Sequence, residues 1–328
     1  MKGTMRRASA ALFAISLMLI LLSCAGGAAV LDDAGQIAAS EADTTARESI
    51  DYPGKTDGEL FFWRLERDGR KIHILGSVHL ATEDLYPLDE RIISAFAVSD
   101  LLVEEVDLVE SNSLEAQNFI AERSALPPGD SIGNYLSAEE IFALTGILDR
   151  YGIPSSTVEG LQPWVLANTL TILSSFESGM DPSYGVDIYF ASQAMNMGME
   201  LYALETAIQQ LEYLSGISME AQLWSLRDTI AQFDDISESM NAILDAWKSG
   251  DMYAMEELML TGFDSPEGRE YYQRLLTDRN LLWEQQILEL MEKGKSRSPF
   301  IVVGTGHLVG PDNLIELLIG EGFSARRF

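Results

Sequence analysis

The sequence predicts an α/β fold: a central mixed sheet built from strands at both ends of the chain, with a large, mainly helical middle region. Three observations predict it. Apolar runs of strand length gather at 60–107 and again at 300–303. Between them lie capping signals and apolar residues at helical spacing. A strand-then-Gly-x-x-His unit also occurs twice, as Gly76-Ser77-Val78-His79 and Gly304-Thr305-Gly306-His307, and holds two of the three histidines in 328 residues.

In chain order, 60–65 and 71–75 read as strands joined at Asp68-Gly69, a hairpin signal. Within the second strand His73 alternates with Ile72 and Ile74, so it reads as a strand residue and not as a ligand. A helix over 89–98 and a strand over 101–107 complete a βαβ unit. Ser137-Ala138-Glu139-Glu140 is a capping box opening the next helix. Helical patterns follow at 164–176 and 186–197, and a strand at 199–204 leads into Glu205. More helices occupy 217–262, and one long helix is expected over 266–293. Met219, Met240, Met252, Met255 and Met259 fall at helical spacing in this region, as core filler or the soft wall of a groove, core filler being the commoner use. The strand at 300–303 delivers His307, and a last amphipathic helix covers 313–320.

The amino terminus has its own logic. Lys2, Arg6 and Arg7 precede a thirteen-residue apolar run over 10–22, short for a membrane span but suited to a secretory signal. Leu21-Leu22-Ser23-Cys24-Ala25-Gly26 resembles a bacterial lipobox with Cys24 as the lipidated residue, although Leu22 stands where a small residue is usual. An ordinary cleaved signal with an incidental cysteine is the alternative. Cys24 is the only cysteine, so no internal disulfide exists. The expected organisation is a signal peptide (1–23), a flexible lipoprotein tether (24–58) too poor in bulky apolar residues to pack, and a single domain (59–328). The expected location is the cell envelope, extracytoplasmic, with the membrane as a partner only through the lipid anchor. A formal net charge of −29 argues against nucleic acid and against anionic lipid surfaces.

The paired motif carries the chemistry. A glycine ending an apolar strand permits a sharp turn, and the histidine three residues on would sit at the strand's carboxyl edge, where open α/β sheets place ligands. Neutral imidazole is the commonest transition-metal ligand, and two imidazoles with a carboxylate leave room for water. A turn histidine satisfied by a backbone carbonyl is the alternative for either motif alone. No Gly-x-Ser-x-Gly elbow and no phosphate-binding glycine loop are present.

The order Trp63, Ile74-Leu75-Gly76-Ser77-Val78-His79-Leu80, Leu85-Tyr86-Pro87-Leu88, 99–107, Gln162-Pro163-Trp164, Gly185-Val186-Asp187, Leu204-Glu205-Thr206, Gln210, Arg279-Asn280, Trp283 and 304–312 resembles the TraB/GumN family over 63–323. The resemblance implies a relationship to the TIKI membrane-anchored metalloproteases. It implies His79 and His307 as metal ligands, with Glu105, from the Glu-Val-Asp strand, as the third. Glu104 would face the opposite side of that strand. Glu205 is then a candidate fourth ligand or general base, with Asp187 and Arg279 next. Arg279 could stabilise an oxyanion or hold a substrate carboxylate, or form a buried structural ion pair with Asp187. Ser77 and Thr305 could support a ligand from behind, although capping their turns is the commoner use. Zinc, manganese, cobalt or iron suits such donors, and the resemblance favours manganese or cobalt. The expected function is a metal-dependent, peptidase-like hydrolase of the cell envelope acting on a peptide or small-molecule substrate. The alternative is a non-catalytic lipoprotein that binds or sequesters such a ligand in the same cleft.

Overall fold

A computed structural model describes residues 58–111, 113–294, 296 and 298–328. The expected signal peptide, Cys24 and the tether up to residue 57 lie outside the described residues.

Six strands form one mixed sheet in the order β4-β3-β5-β2-β1-β6. Strands β1 (Phe62–Arg67) and β2 (Arg70–Ser77) make the expected hairpin, whose turn places both Asp68 and Gly69 at positive φ. Helix α1 (Glu90–Ala97) is capped by the Asp89 side chain and leads into β3 (Leu101–Val106). Strands β2 and β3 run parallel, as a βαβ unit requires. They are not neighbours, because β5 (Pro299–Gly304), from the far end of the chain, slots between them and pairs with both. Strand β4 (Leu201–Glu205) extends the parallel edge beside β3, and Glu205 is its last residue. Strand β6 (Ser324–Arg327) closes the other edge antiparallel to β1.

The helical middle comprises α2 (Leu108–Ser111), α3 (Leu114–Arg123), α4 (Ala138–Arg150), α5 (Pro163–Glu177), α6 (Val186–Met197), α7 (Ala207–Ser215), α8 (Met219–Ala231), α9 (Phe233–Ser249) and α10 (Met252–Leu260). The capping box at Ser137 and Glu140 is formed as expected. The helix expected over 266–293 is interrupted: α11 (Pro266–Tyr272) passes through a π-helical turn (Gln273–Thr277) into α12 (Asp278–Glu292). Such wide turns are frequent at functional sites. Helix α13 (Leu314–Gly320) precedes β6.

The main core lies against the sheet. Phe96 of α1 and Phe190 of α6 both pack on Phe300 of β5, with ring centroids 5.3 and 4.9 Å away. His73 sits within β2, buried and stacked on Phe62. Burial, helped by Arg64 and Lys71, lowers its pKa to about 4.

Candidate active site

Strands β2 and β5 are adjacent and parallel, with Gly76 opposite Val303 and Ser77 opposite Gly304. Both Gly-x-x-His turns therefore leave the sheet at one edge, side by side. The Thr305 hydroxyl donates to the Ser77 carbonyl at 2.9 Å, tying one turn to the other. This closeness is what Gly76 provides: a Cβ there would lie 2.7 Å from Thr305 Oγ1 and 3.2 Å from Thr305 Cα. From α9, Trp247 Nε1 donates to the Gly76 carbonyl at 2.7 Å and fixes the turn from outside.

Arg279 is the hub of the buried half of the site. It is only 1 % exposed, yet its guanidinium is flanked by two carboxylates: Nη2 donates to Glu105 Oε2 at 2.7 Å and Nε to Glu205 Oε1 at 2.8 Å. Nη1 donates to the Leu275 carbonyl in the π-helical turn, at 3.1 Å, and meets His307 Nε2, also at 3.1 Å. Four of the five guanidinium N–H groups are thus engaged. Glu105 also accepts from the Gly304 amide at 2.6 Å and from Gln210 at 3.3 Å, and Trp283 Nε1 donates to Glu205 Oε1 at 2.9 Å. Burial would raise the Glu105 pKa, but Arg279, His307, His79 and the Gly304 amide together outweigh it and hold the carboxyl below its usual range. For Glu205 burial prevails over the same guanidinium, and its pKa is raised. Arg279 remains charged, because the two carboxylates overcome the cost of its burial.

The tautomer of His307 follows from its neighbours. The Asn280 amide donates through Nδ2 to the Asp312 carbonyl at 2.9 Å, which turns Oδ1 toward His307 Nδ1 at 2.7 Å. Nδ1 therefore carries the proton, and the Nε2 lone pair receives Arg279 Nη1. Burial and the adjacent guanidinium press the His307 pKa well below its ordinary value. The Trp283 ring, 4.2 Å from the imidazole centroid, covers one face.

His79 forms the other half. Gly185 packs so tightly on the first turn that a Cβ would lie 2.9 Å from the His79 carbonyl, and Val186 N donates to the Val78 carbonyl at 3.0 Å. The first turn of α6 thereby brings Asp187 Oδ2 within 3.1 Å of His79 Nδ1. The pair is close enough for a strong Coulombic interaction but poorly aligned for a hydrogen bond, so both ring nitrogens lack a hydrogen-bond partner. Burial alone would depress the His79 pKa; the Asp187 carboxylate, with Glu105, outweighs it and raises the value above ordinary. His79 lines a cavity that opens to solvent.

All six expected side chains thus lie at the carboxyl edge of the sheet, in an arrangement that differs from the expected one. Arg279 pairs with Glu105 and Glu205, and Asp187 pairs with His79, so the expected alternative of an Arg279–Asp187 ion pair is not formed. As for a metal, two imidazoles and a carboxylate have the right donor chemistry. However, His307 Nε2 and Glu105 Oε2 already face the guanidinium, whose charge opposes a second cation. Among the described residues no group of three or more His, Cys, Asp or Glu side chains could hold a metal ion. As arranged, these residues do not fit one.

Several contributors carried no role in the sequence reading. Asn280, Trp283 and Gln210 stood out there only as positions of resemblance, although a buried amide and an indole beside a candidate arginine are a usable signal. Glu104 is buried on the opposite face of β3 with Oε1 unpartnered. Burial, then the Asp187, Asp107 and Glu105 charges, raise its pKa well above the usual carboxyl range.

This α/β domain, with its charge cluster at the strand ends, belongs to the TraB/PrgY/gumN family, whose model matches residues 61–327. The chain is similar to the uncharacterized protein YbaP of Escherichia coli (strain K12), with 24 % identity over 76 % of this chain and 88 % of YbaP. More distantly it is similar to the metalloprotease TIKI2 of Xenopus tropicalis, with 20 % identity over 81 % of this chain but only 59 % of TIKI2. Metalloprotease TIKI1 of Danio rerio is 19 % identical over 82 % of this chain and 63 % of its own length. No solved structure matches the chain.

Proposed function

We propose that this protein is a peptidase-like hydrolase in which neutral His79, made more basic by the neighbouring Asp187 carboxylate, is the general base. The observation that carries the reading is His79 itself. It is a buried imidazole with no hydrogen-bond partner, 3.1 Å from a carboxylate, on the wall of a cavity open to solvent. A water in that cavity would give its proton to the imidazole while its oxygen attacks the substrate carbonyl carbon. The imidazolium, stabilised by Asp187, would return the proton to the leaving amine as the C–N bond breaks. Arg279, held by Glu105 and Glu205 outside the cavity lining, supplies a fixed positive charge that would stabilise the oxyanion through space. His307, kept neutral, completes the shell around that charge.

The metalloprotease relatives make a divalent ion, manganese, cobalt or zinc, the first condition to vary. The test is a peptide-library cleavage assay on the full-length chain, stripped with chelator and then supplied with each ion, beside His79→Ala. We expect cleavage by the stripped protein and a loss of about 10²- to 10⁴-fold in the variant. Cleavage strictly dependent on an added ion would give His79 to a metal and end its role as the base. Ligand binding without cleavage under any condition would favour the sequestering protein instead.

The same proposal places the enzyme at the extracytoplasmic face of a bacterial membrane, anchored through Cys24. Its support is the basic-then-apolar amino terminus and the single cysteine. Incorporation of labelled fatty acid by the wild type and not by Cys24→Ala is the expected result; equal labelling of both would refute it.

A further inference from the structure

The cavity beside His79 is lined by Met180, Met240, Ile243, Leu244 and Met259 together with the two motif turns, 77–80 and 304–306. Among the described residues no Asp, Glu, Lys or Arg lines it, in a chain with 51 acidic residues. A charged group entering such a space would be desolvated without a partner. Ser77, in this lining, is only 3 % exposed, and its Oγ has no hydrogen-bond partner. Buried hydroxyls are nearly always satisfied, so an unsatisfied one beside a cavity points to a ligand group that completes it. The three thioethers in the lining, Met180, Met240 and Met259, are unbranched and polarisable and adapt to apolar shapes.

We propose that this cavity is a specificity subsite for one uncharged, apolar side chain of a peptide, of leucine, methionine or phenylalanine size, adjacent to the bond presented to His79. The proposal rests on the hydrolase reading for the identity of that bond. The Ser77 hydroxyl hydrogen-bonds the peptide main chain next to the seated side chain and so sets its register against the imidazole. Met240 and Met259, expected from the sequence as core filler, are here the wall that chooses the substrate.

The test uses the full-length chain and the capped peptides acetyl-Ala-Ala-X-Ala-Ala-amide, with X as Leu, Met, Phe, Ala or Asp. Two readouts are taken: kcat/KM for cleavage by the wild type, and the calorimetric Kd on His79→Ala. Leu and Met are expected to exceed Ala by about 10- to 100-fold in both, as two or three additional buried carbons would give, and Phe by at least as much, with Asp last. Ile243→Trp and Met259→Trp, each filling the cavity from a half-buried position, should cut that preference to less than about threefold. Having two such variants keeps the test valid if one fails to fold. Cleavage with no dependence on X would overturn the subsite and leave the hydrolase standing. Binding that ranks the peptides as expected, without cleavage, would uphold the subsite and end the hydrolase. Binding indifferent to X, or a preference unchanged in a folded filling variant, would overturn the subsite.

Discussion

Replacing Arg279 with methionine keeps much of the side chain's volume and removes the one positive charge between Glu105 and Glu205. Both carboxylates are buried, at 5 % and 2 % exposure, and each receives a guanidinium N–H within 2.8 Å. At charge separations of about 4 Å and an effective dielectric near 20, each attraction is about 4 kcal/mol. Desolvation consumes much of this in the intact site, but the substitution leaves the carboxylates buried with the attraction gone. Losses on breaking a buried pair are about 3–5 kcal/mol. Urea unfolding at pH 8 should show a loss in that range, with an unchanged m-value. The sign of its pH dependence follows from linkage. In the wild type the Glu105 pKa is lowered, so its stabilisation is present above the unfolded value and is lost as pH falls through the folded one. In the variant the largest force opposing burial is gone and both carboxyl pKa values move upward, so ionising them as pH rises costs stability. The two proteins should therefore lie closest near pH 5 and furthest apart at pH 8. A loss under about 1 kcal/mol, or one equal at both pH values, would refute the view that Arg279 neutralises this cluster.

Asp187→Asn removes the charge that raises His79; the acidic limb of the activity profile should move to lower pH, with kcat falling about 10- to 100-fold. The stability linked to this pair is fully present below about pH 6.5 and is lost as pH rises through the folded His79 value, so a chemical-denaturation series in wild type and variant should converge at high pH. Gly76→Ala would set a Cβ 2.7 Å from Thr305 Oγ1 and 3.2 Å from its Cα; a loss of about 1–3 kcal/mol is expected in thermal or urea unfolding, and an unchanged midpoint would refute the close crossing of the two turns. Trp283→Phe deletes the Nε1 donor to Glu205 Oε1 while keeping an aromatic cover on His307; a loss of about 1–3 kcal/mol is expected, since a buried acceptor is left short.

Much of the site was legible because it is local. A strand ended by glycine with histidine three residues on specifies both a turn and a position at the strand end, and pairing β2 with β5 makes the two turns neighbours. The partner of each charge was not legible. Arg279 reaches Glu105 and Glu205 from the helix that starts just after a π-helical turn, and the run from 266 to 293 carries ordinary helical spacing that does not announce that turn. Asp187 goes to His79 because Gly185 lets α6 start against the first motif turn, a contact between segments about a hundred residues apart. The insertion of β5 between β2 and β3 is likewise a long-range choice. Strand β6 escaped notice for another reason. Its sequence, Ser324-Ala325-Arg326-Arg327, has no apolar alternation, and as an exposed edge strand it needs none.

With only three histidines in the chain, their titration by NMR reads the electrostatics of the site one residue at a time. The account predicts that His79 titrates above pH 6.5, that His73 titrates near pH 4, and that His307 stays neutral with its proton on Nδ1 well below the ordinary histidine range. A His79 that titrates below 6.5, or a His307 that protonates before it, would contradict the assignment of His79 as the Asp187-poised base.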